Sequence, residues 1–142
     1  MKQRLADYVA DFLAAHGVTD VFSVVGGGAM HLNDALGHHP ALHVTYNHHE
    51  QASAIAAEAY ARIDNKIAAL CVTTGPGGPN ALTGVVGGWL ASIPMFVISG
   101  QVRYDTQIEC GGFTAAHQQD MAQTQPLAWA TRNTISPNLL PP

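Results

Sequence analysis

Hydrophobic and polar positions alternate along this chain in two rhythms, one of short apolar runs and one of helical stripes. Leu5, Tyr8, Val9, Phe12 and Leu13 recur at the spacing of one helical face, which predicts a helix over 2–16 closed by Gly17. The β-branched and aromatic run DVFSVV at 20–25 predicts a strand, broken by Gly26-Gly27-Gly28. A short helix is expected over 29–36, ended by Gly37 and the polar turn His38-His39-Pro40. A second strand, LHVTY, follows at 42–46, and the Ala- and Glu-rich stretch 49–62 favours helix. IAALCV at 67–72 is apolar without alternation, the pattern of a strand covered on both faces. TGPGG at 74–78 predicts a tight turn, 80–91 a helix, and MFVIS at 95–99 a fourth strand.

Strands therefore alternate with helices, the order of an α/β domain with a mostly parallel sheet. Beyond Arg103 the pattern weakens. One further strand is expected within 126–134, 136–142 is Pro-rich, and no closing helix is expected. Internal repeats and low-complexity segments are absent from the sequence.

The whole chain has 142 residues, the length of one domain. With 47% hydrophobic and 11% charged residues it can bury a core rather than stay disordered. A net charge of -4 with six scattered Lys and Arg argues against a nucleic-acid or anionic-membrane partner. No apolar run reaches the roughly 20 residues of a membrane helix. Asp7 interrupts the place where a signal peptide would be apolar, so the cytoplasm is the expected location. Cys71 and Cys110 are far apart and form no CxxC, which disfavours both a disulfide framework and a thiolate zinc site.

Open α/β sheets bind ligands beyond the carboxyl ends of their strands. Three features fall there: Gly26 to Gly28, Glu50, and Gly75 to Gly78. Gly26-Gly27-Gly28-Ala29-Met30-His31 lacks the last glycine of a dinucleotide fingerprint, and no acidic residue ends the second strand. Gly75-Pro76-Gly77-Gly78 lacks the GK[ST] of a phosphate loop. Each glycine loop alone reads equally as a plain tight turn. Glu50 reads either as an ordinary acid at a helix start, favoured by the helix dipole, or as a cleft carboxylate tuned for proton transfer. His38, His39, His43, His48 and His49 form no HExxH and read as solvated turn histidines; no metal ligand is assigned. Small residues mark two helices, Ser53, Ala54, Ala57 and Ala61 in one and Gly84, Gly87, Gly88 and Ala91 in the other. Glycine inside a helix costs about 0.5–1 kcal/mol against alanine, so these predict close approach, either within the domain or across a subunit interface.

The ordered series NHHEQASAIAAEAYAR (47–62), VTTGPGGPNA (72–81) and IPMFVISG (93–100) resembles the N-terminal pyrimidine-binding (PYR) domain of thiamine-diphosphate-dependent enzymes, in the acetolactate synthase-like branch. The resemblance is strong from Leu5 to about Thr106 and thinner beyond. Val25 stands where many members carry Pro, and His117-Gln118 where a Gln-Glu pair is expected. The resemblance implies a three-layer α/β/α fold, the PYR half of the thiamine-diphosphate-binding fold. It implies that Glu50 hydrogen-bonds the N1′ nitrogen of the cofactor's aminopyrimidine and so promotes loss of the thiazolium C2 proton, ahead of attack on a 2-oxo acid such as pyruvate. It further implies cofactor contacts from Gly26, Gly27, Thr74, Gly75, Pro76, Gly77 and Asn80.

In that family a second domain holds the diphosphate through Mg²⁺, with a signature beginning Gly-Asp-Gly. That tripeptide does not occur in this sequence, and acetolactate synthase's FAD-carrying middle domain has no counterpart in it. The expectation is therefore a single pyrimidine-binding domain over 1–142, inactive alone. It would be a fragment of an acetolactate synthase-like enzyme, a stand-alone subunit of a split decarboxylase, or a non-catalytic interaction module. Its expected partners are a diphosphate-binding domain or subunit and, through the Ala/Gly-rich helices, a second copy.

Overall fold

The computed structural model describes residues 2–101, and the strand expected within 126–134, the Pro-rich end, Cys110 and His117-Gln118 lie outside them. In chain order the elements are α1 (Leu5–Ala15), β1 (Asp20–Ser23), a single 3₁₀ turn (Gly27–Ala29) running into α2 (Met30–His38), β2 (His43–Tyr46), α3 (Glu50–Asp64), β3 (Ala68–Val72), α4 (Gly77–Leu90) and β4 (Met95–Ser99). The four strands form one all-parallel sheet in the order β2-β1-β3-β4.

β3 is buried along its whole length, as its unbroken apolar run requires. One face of the sheet, with Val21, Ala69 and Cys71, packs against Ala6, Ala10 and Leu13 of α1 and Ala35 and Leu36 of α2. The other face carries Leu70 and Val72 against Ala54 of α3 and Ala81 and Val85 of α4, with Phe22, Ala68 and Met95 extending it toward Ala57 and Tyr60. The result is three layers, α/β/α.

Several boundaries differ from the sequence expectation. α1 starts at Leu5 rather than Lys2 because Arg4 is extended, its guanidinium bonded to Asp7 and Asp34. The stripe α1 buries is Ala6, Ala10 and Leu13, while Leu5 and Tyr8 face outward. β1 ends at Ser23 although Val24 and Val25 continue the β-branched run, because its register with β2 runs out at the Ser23–Tyr46 pair. α4 begins at Gly77, inside the segment that reads as a turn. Its first four N–H groups need no intrahelical partner, so Pro79 costs nothing in that first turn. α3 ends two residues later than expected and stops on Asn65 at φ 53°, a left-handed cap that asparagine tolerates.

The small-residue faces meet inside the domain. A Cβ at Gly84 would stand 2.5 Å from the Ala54 Cβ and 2.8 Å from the Ile55 backbone nitrogen, so α3 and α4 approach to backbone contact. Gly88 likewise makes room for Met95, and Gly87 for the Glu58 carboxylate. What α3 turns outward is a different stripe: Ala52, Ile55, Ala59 and Ile63.

Candidate active site

β1 lies between β2 and β3, so the chain leaves β1 toward one side of the sheet and returns on the other. The loop after β1 feeds the α1/α2 layer and the loop after β3 feeds the α3/α4 layer. Diverging loops of this kind open a crevice at the carboxyl edge of an α/β sheet.

The two glycine loops are interlocked at that point. A Cβ on Gly26 would collide with the Thr73 side chain, and one on Gly28 with that of Thr74. Gly100, just past β4, completes the junction: its N–H donates to the Val72 carbonyl at 2.8 Å, and a Cβ there would fall 2.5 Å from the Gly28 carbonyl oxygen. Gly75 holds φ 74°, a left-handed conformation that glycine adopts without strain. Gly27 is different, because a Cβ there would meet nothing within 4 Å. It borders open space.

Glu50 is the first residue of α3 and is 9% exposed. The His49 ring Nδ1 caps the helix by accepting the Gln51 N–H at 3.1 Å. The turn ahead of Glu50 is pinned to β1: the Asn47 N–H donates to the Ser23 carbonyl at 2.8 Å, and the Asn47 side-chain amide donates to Ser53 Oγ, which in turn donates to the same carbonyl. Ser23 is itself fully buried, with its hydroxyl 2.8 Å from the Cys71 carbonyl and 2.9 Å from Asn33 Oδ1. These contacts fix where the Glu50 backbone starts. Its carboxylate reaches the first turn of α4, where Asn80 Nδ2 donates to Oε2 at 3.0 Å and Oε1 lies 3.6 Å from the position of a Cβ on Gly77.

The structure thus brings Glu50, Gly77 and Asn80 together, and it seats Gly26 against Thr73 of the same junction, beside Thr74. Gly27 and Pro76 are nearer the surface; Pro76 caps α4. Thr73, Gly28 and Gly100 belong to the junction although no separate role is legible for them in the sequence; the signal that could find them is the glycine or small residue placed directly after each of three strands. Ser23, Asn47 and Ser53 carry no sequence signal beyond being polar at strand or helix ends.

Three of the other histidines have local acidic partners. His38 and His39 lie against Asp34 and Asp11 on the α1/α2 surface, and His43 lies 3.3 Å from Asp20. Among the described residues no group of three or more His, Cys, Asp or Glu is arranged to hold a metal ion. The Cys71 thiol, in the middle of β3, is pushed up to about 11 by burial, which leaves it unreactive near neutral pH.

The sequence profile of the thiamine pyrophosphate enzyme N-terminal TPP binding domain matches residues 3–126. The chain belongs to this family. Among curated relatives, the acetolactate synthase large subunit of Buchnera aphidicola subsp. Schizaphis graminum is 39% identical over 110 residues, 74% of this chain and 19% of that protein. Acetolactate synthase 1, chloroplastic, of Oryza sativa subsp. japonica is 37% identical over 97 residues, 68% of this chain and 15% of the relative. The acetolactate synthase isozyme 3 large subunit of Escherichia coli is 36% identical over 110 residues, 74% and 19% respectively. The chain spans less than a fifth of the length of these relatives. A TPP-binding domain of this family is one part of a larger enzyme, and thiamine diphosphate is the cofactor the family membership implies. Among the described residues no helix is long and apolar enough to cross a membrane.

The geometry fits one half of such a cofactor. A carboxylate nine-tenths buried at the crevice, with an amide beside it, suits a heteroaromatic ring bearing nitrogen donors and acceptors. Gly27, at the same edge of the sheet, borders open space.

Proposed function

We propose that this chain is the pyrimidine-binding half-site of an acetolactate synthase-like enzyme acting on 2-oxo acids. The observation that carries the reading is the Glu50 carboxylate, buried at the switch point of the sheet beside two interlocked glycine loops. Thiamine diphosphate, when bound, supplies the electron sink for cleaving and forming bonds next to a carbonyl carbon.

The residues of this chain position and protonate. Glu50 would hold a proton at its carboxylate for a ring nitrogen of the bound cofactor. Burial keeps bulk water from competing for that proton. Gly26, Gly27, Thr74, Gly75, Pro76 and Gly77 would hold the pyrimidine, with the glycines letting backbone come close where side chains would obstruct.

The diphosphate and its Mg²⁺ belong to another domain or subunit. This is supported by the pairing of three described cations away from the crevice: Arg4 with Asp7 and Asp34, Arg62 with Glu58 and Lys66 with Asp64. The outward stripe Ala52, Ile55, Ala59 and Ile63 on α3 is the face we assign to a partner domain or second copy. The chain alone then binds thiamine diphosphate weakly, and titration calorimetry with Mg²⁺ checks this.

The direct test is Glu50→Gln in the complete enzyme containing this domain, with exchange of the cofactor C2 proton followed by NMR. Proton-transfer catalysis by one positioned side chain is worth about 10²–10⁴-fold, and a loss of that size is expected. Unchanged exchange would remove Glu50 from its role.

A further inference from the structure

We infer that Asn80 is a positioning residue for Glu50 rather than a contact to the cofactor. The inference rests on the reading of Glu50 given above and adds which carboxylate oxygen does the work. Asn80 Nδ2 donates to Oε2 at 3.0 Å, across 30 residues of sequence and between the first turns of two different helices. The Asn80 backbone is held independently, its N–H donating to the Pro76 carbonyl at 3.0 Å as the helix starts. The side chain is half-buried and has its amide nitrogen committed to the carboxylate.

An amide nitrogen only donates, so it pairs with a carboxylate oxygen that carries no proton. Oε2 is thereby kept as the bare acceptor. Oε1, on the Gly77 side, is left as the oxygen that carries and delivers the proton. Gly77 contributes by having no side chain: a Cβ there would be 3.1 Å from Thr73 Cγ2, tighter than an ordinary contact, and would touch the same carboxylate at 3.6 Å. A rotamer of Glu50 with its two oxygens interchangeable would deliver the proton from either, with no fixed direction. Asn80 removes that ambiguity, at the strength of a hydrogen bond to a charged group.

The test is a double-mutant cycle in the complete enzyme, with thiamine diphosphate and Mg²⁺ as the probe. Asn80→Ala is expected to slow C2 proton exchange by about ten- to a hundredfold, the worth of one hydrogen bond to a charged group, while cofactor affinity changes less than threefold. In the Glu50→Gln background Asn80→Ala should slow exchange no further, because the two act as a unit. Asn80→Leu keeps the approximate shape and removes the donor without adding a charge; it should slow exchange as much as alanine and guards against a folding artefact. A readout without cofactor comes from the unliganded chain, where one Asn80 side-chain amide proton should resonate downfield and lose that shift in Glu50→Ala. Parallel loss of affinity and exchange in Asn80→Ala would make Asn80 a direct cofactor contact and overturn the inference. So would additive effects in the cycle, or an amide resonance indifferent to Glu50. If Glu50→Gln itself leaves exchange unchanged, the underlying reading of Glu50 falls instead, and the amide resonance still reports whether the pair exists.

Discussion

The two ends of the sheet each hold a carboxylate, and the two are surrounded differently. At the amino end, Asp20 accepts from Tyr60 at 2.6 Å and Thr19 at 2.7 Å and lies 3.3 Å from His43. Its burial works against ionisation, yet the hydrogen bonds from Tyr60, Thr19 and His43 outweigh it and hold the carboxyl below the ordinary aspartate range. Tyr60 is raised in turn, chiefly by its hydrogen bond to Asp20. At the carboxyl end, Glu50 is more deeply buried and receives the side chain of one neutral amide. A carboxylate surrounded by donors is settled as an anion and stabilises the fold. On the reading proposed above, a buried carboxylate with one side-chain donor among the described residues keeps an oxygen for exchange.

The glycines repeat the contrast. Gly17, at the amino end after α1, has φ 80° and open space around its Cβ position, so it serves a turn. Gly100, at the carboxyl end, is pressed against another backbone. Gly100→Ala should therefore give the largest stability loss of the set, about 1–3 kcal/mol for overpacking, seen as a lowered urea midpoint. A smaller loss than in Gly17→Ala would break the contrast.

Asp20→Asn comes next. It should cost about 1–2 kcal/mol at neutral pH through weakened hydrogen bonds to a charge. Because the folded-state pKa of Asp20 is depressed, its stabilisation is present above the unfolded value of about 3.9. It is lost as pH falls through the lower folded value. The variant should lose that acid-side slope; urea titrations between pH 6 and the acid range would show it, and an unaltered slope would dismiss the Asp20 cluster as a stabilising device.

The smallest stability effect belongs to Gly27→Ala, within about 0.5 kcal/mol of the parent because nothing lies near its Cβ. Its effect should appear instead as weakened cofactor binding in the complete enzyme. Unchanged affinity would mean that the open space at Gly27 is not the pyrimidine's.

Most of this arrangement is legible in the sequence, for physical reasons that differ by element. β3 announces itself because a strand covered on both faces has no polar positions to alternate with. Glu50 and the two glycine loops are legible as strand-end residues, since strand ends are where parallel sheets present chemistry. The start of α4 is not, because Gly-Pro-Gly-Gly-Pro favours a turn by local propensity, and it is the packing of Gly77 against Thr73 and Glu50 that accompanies the helix. The Asn80–Glu50 bond and the Asp20 cluster are equally hidden. They join residues tens of positions apart on different elements, and no spacing rule links them. The use of Gly84 is half visible: small residues imply close approach, but only the structure shows that its partner is Ala54 of the same chain.

The claim that chemistry sits at one end of the sheet and stability at the other is tested by measuring Glu50→Gln and Asp20→Asn side by side in the complete enzyme. Both the C2 proton exchange rate of bound thiamine diphosphate and the thermal midpoint would be recorded for each. The account predicts that Glu50→Gln loses about 10²–10⁴-fold in exchange with little change in midpoint, while Asp20→Asn lowers the midpoint by a few degrees and keeps near-parent exchange. An Asp20→Asn enzyme that keeps its midpoint but loses exchange as heavily as Glu50→Gln would contradict it.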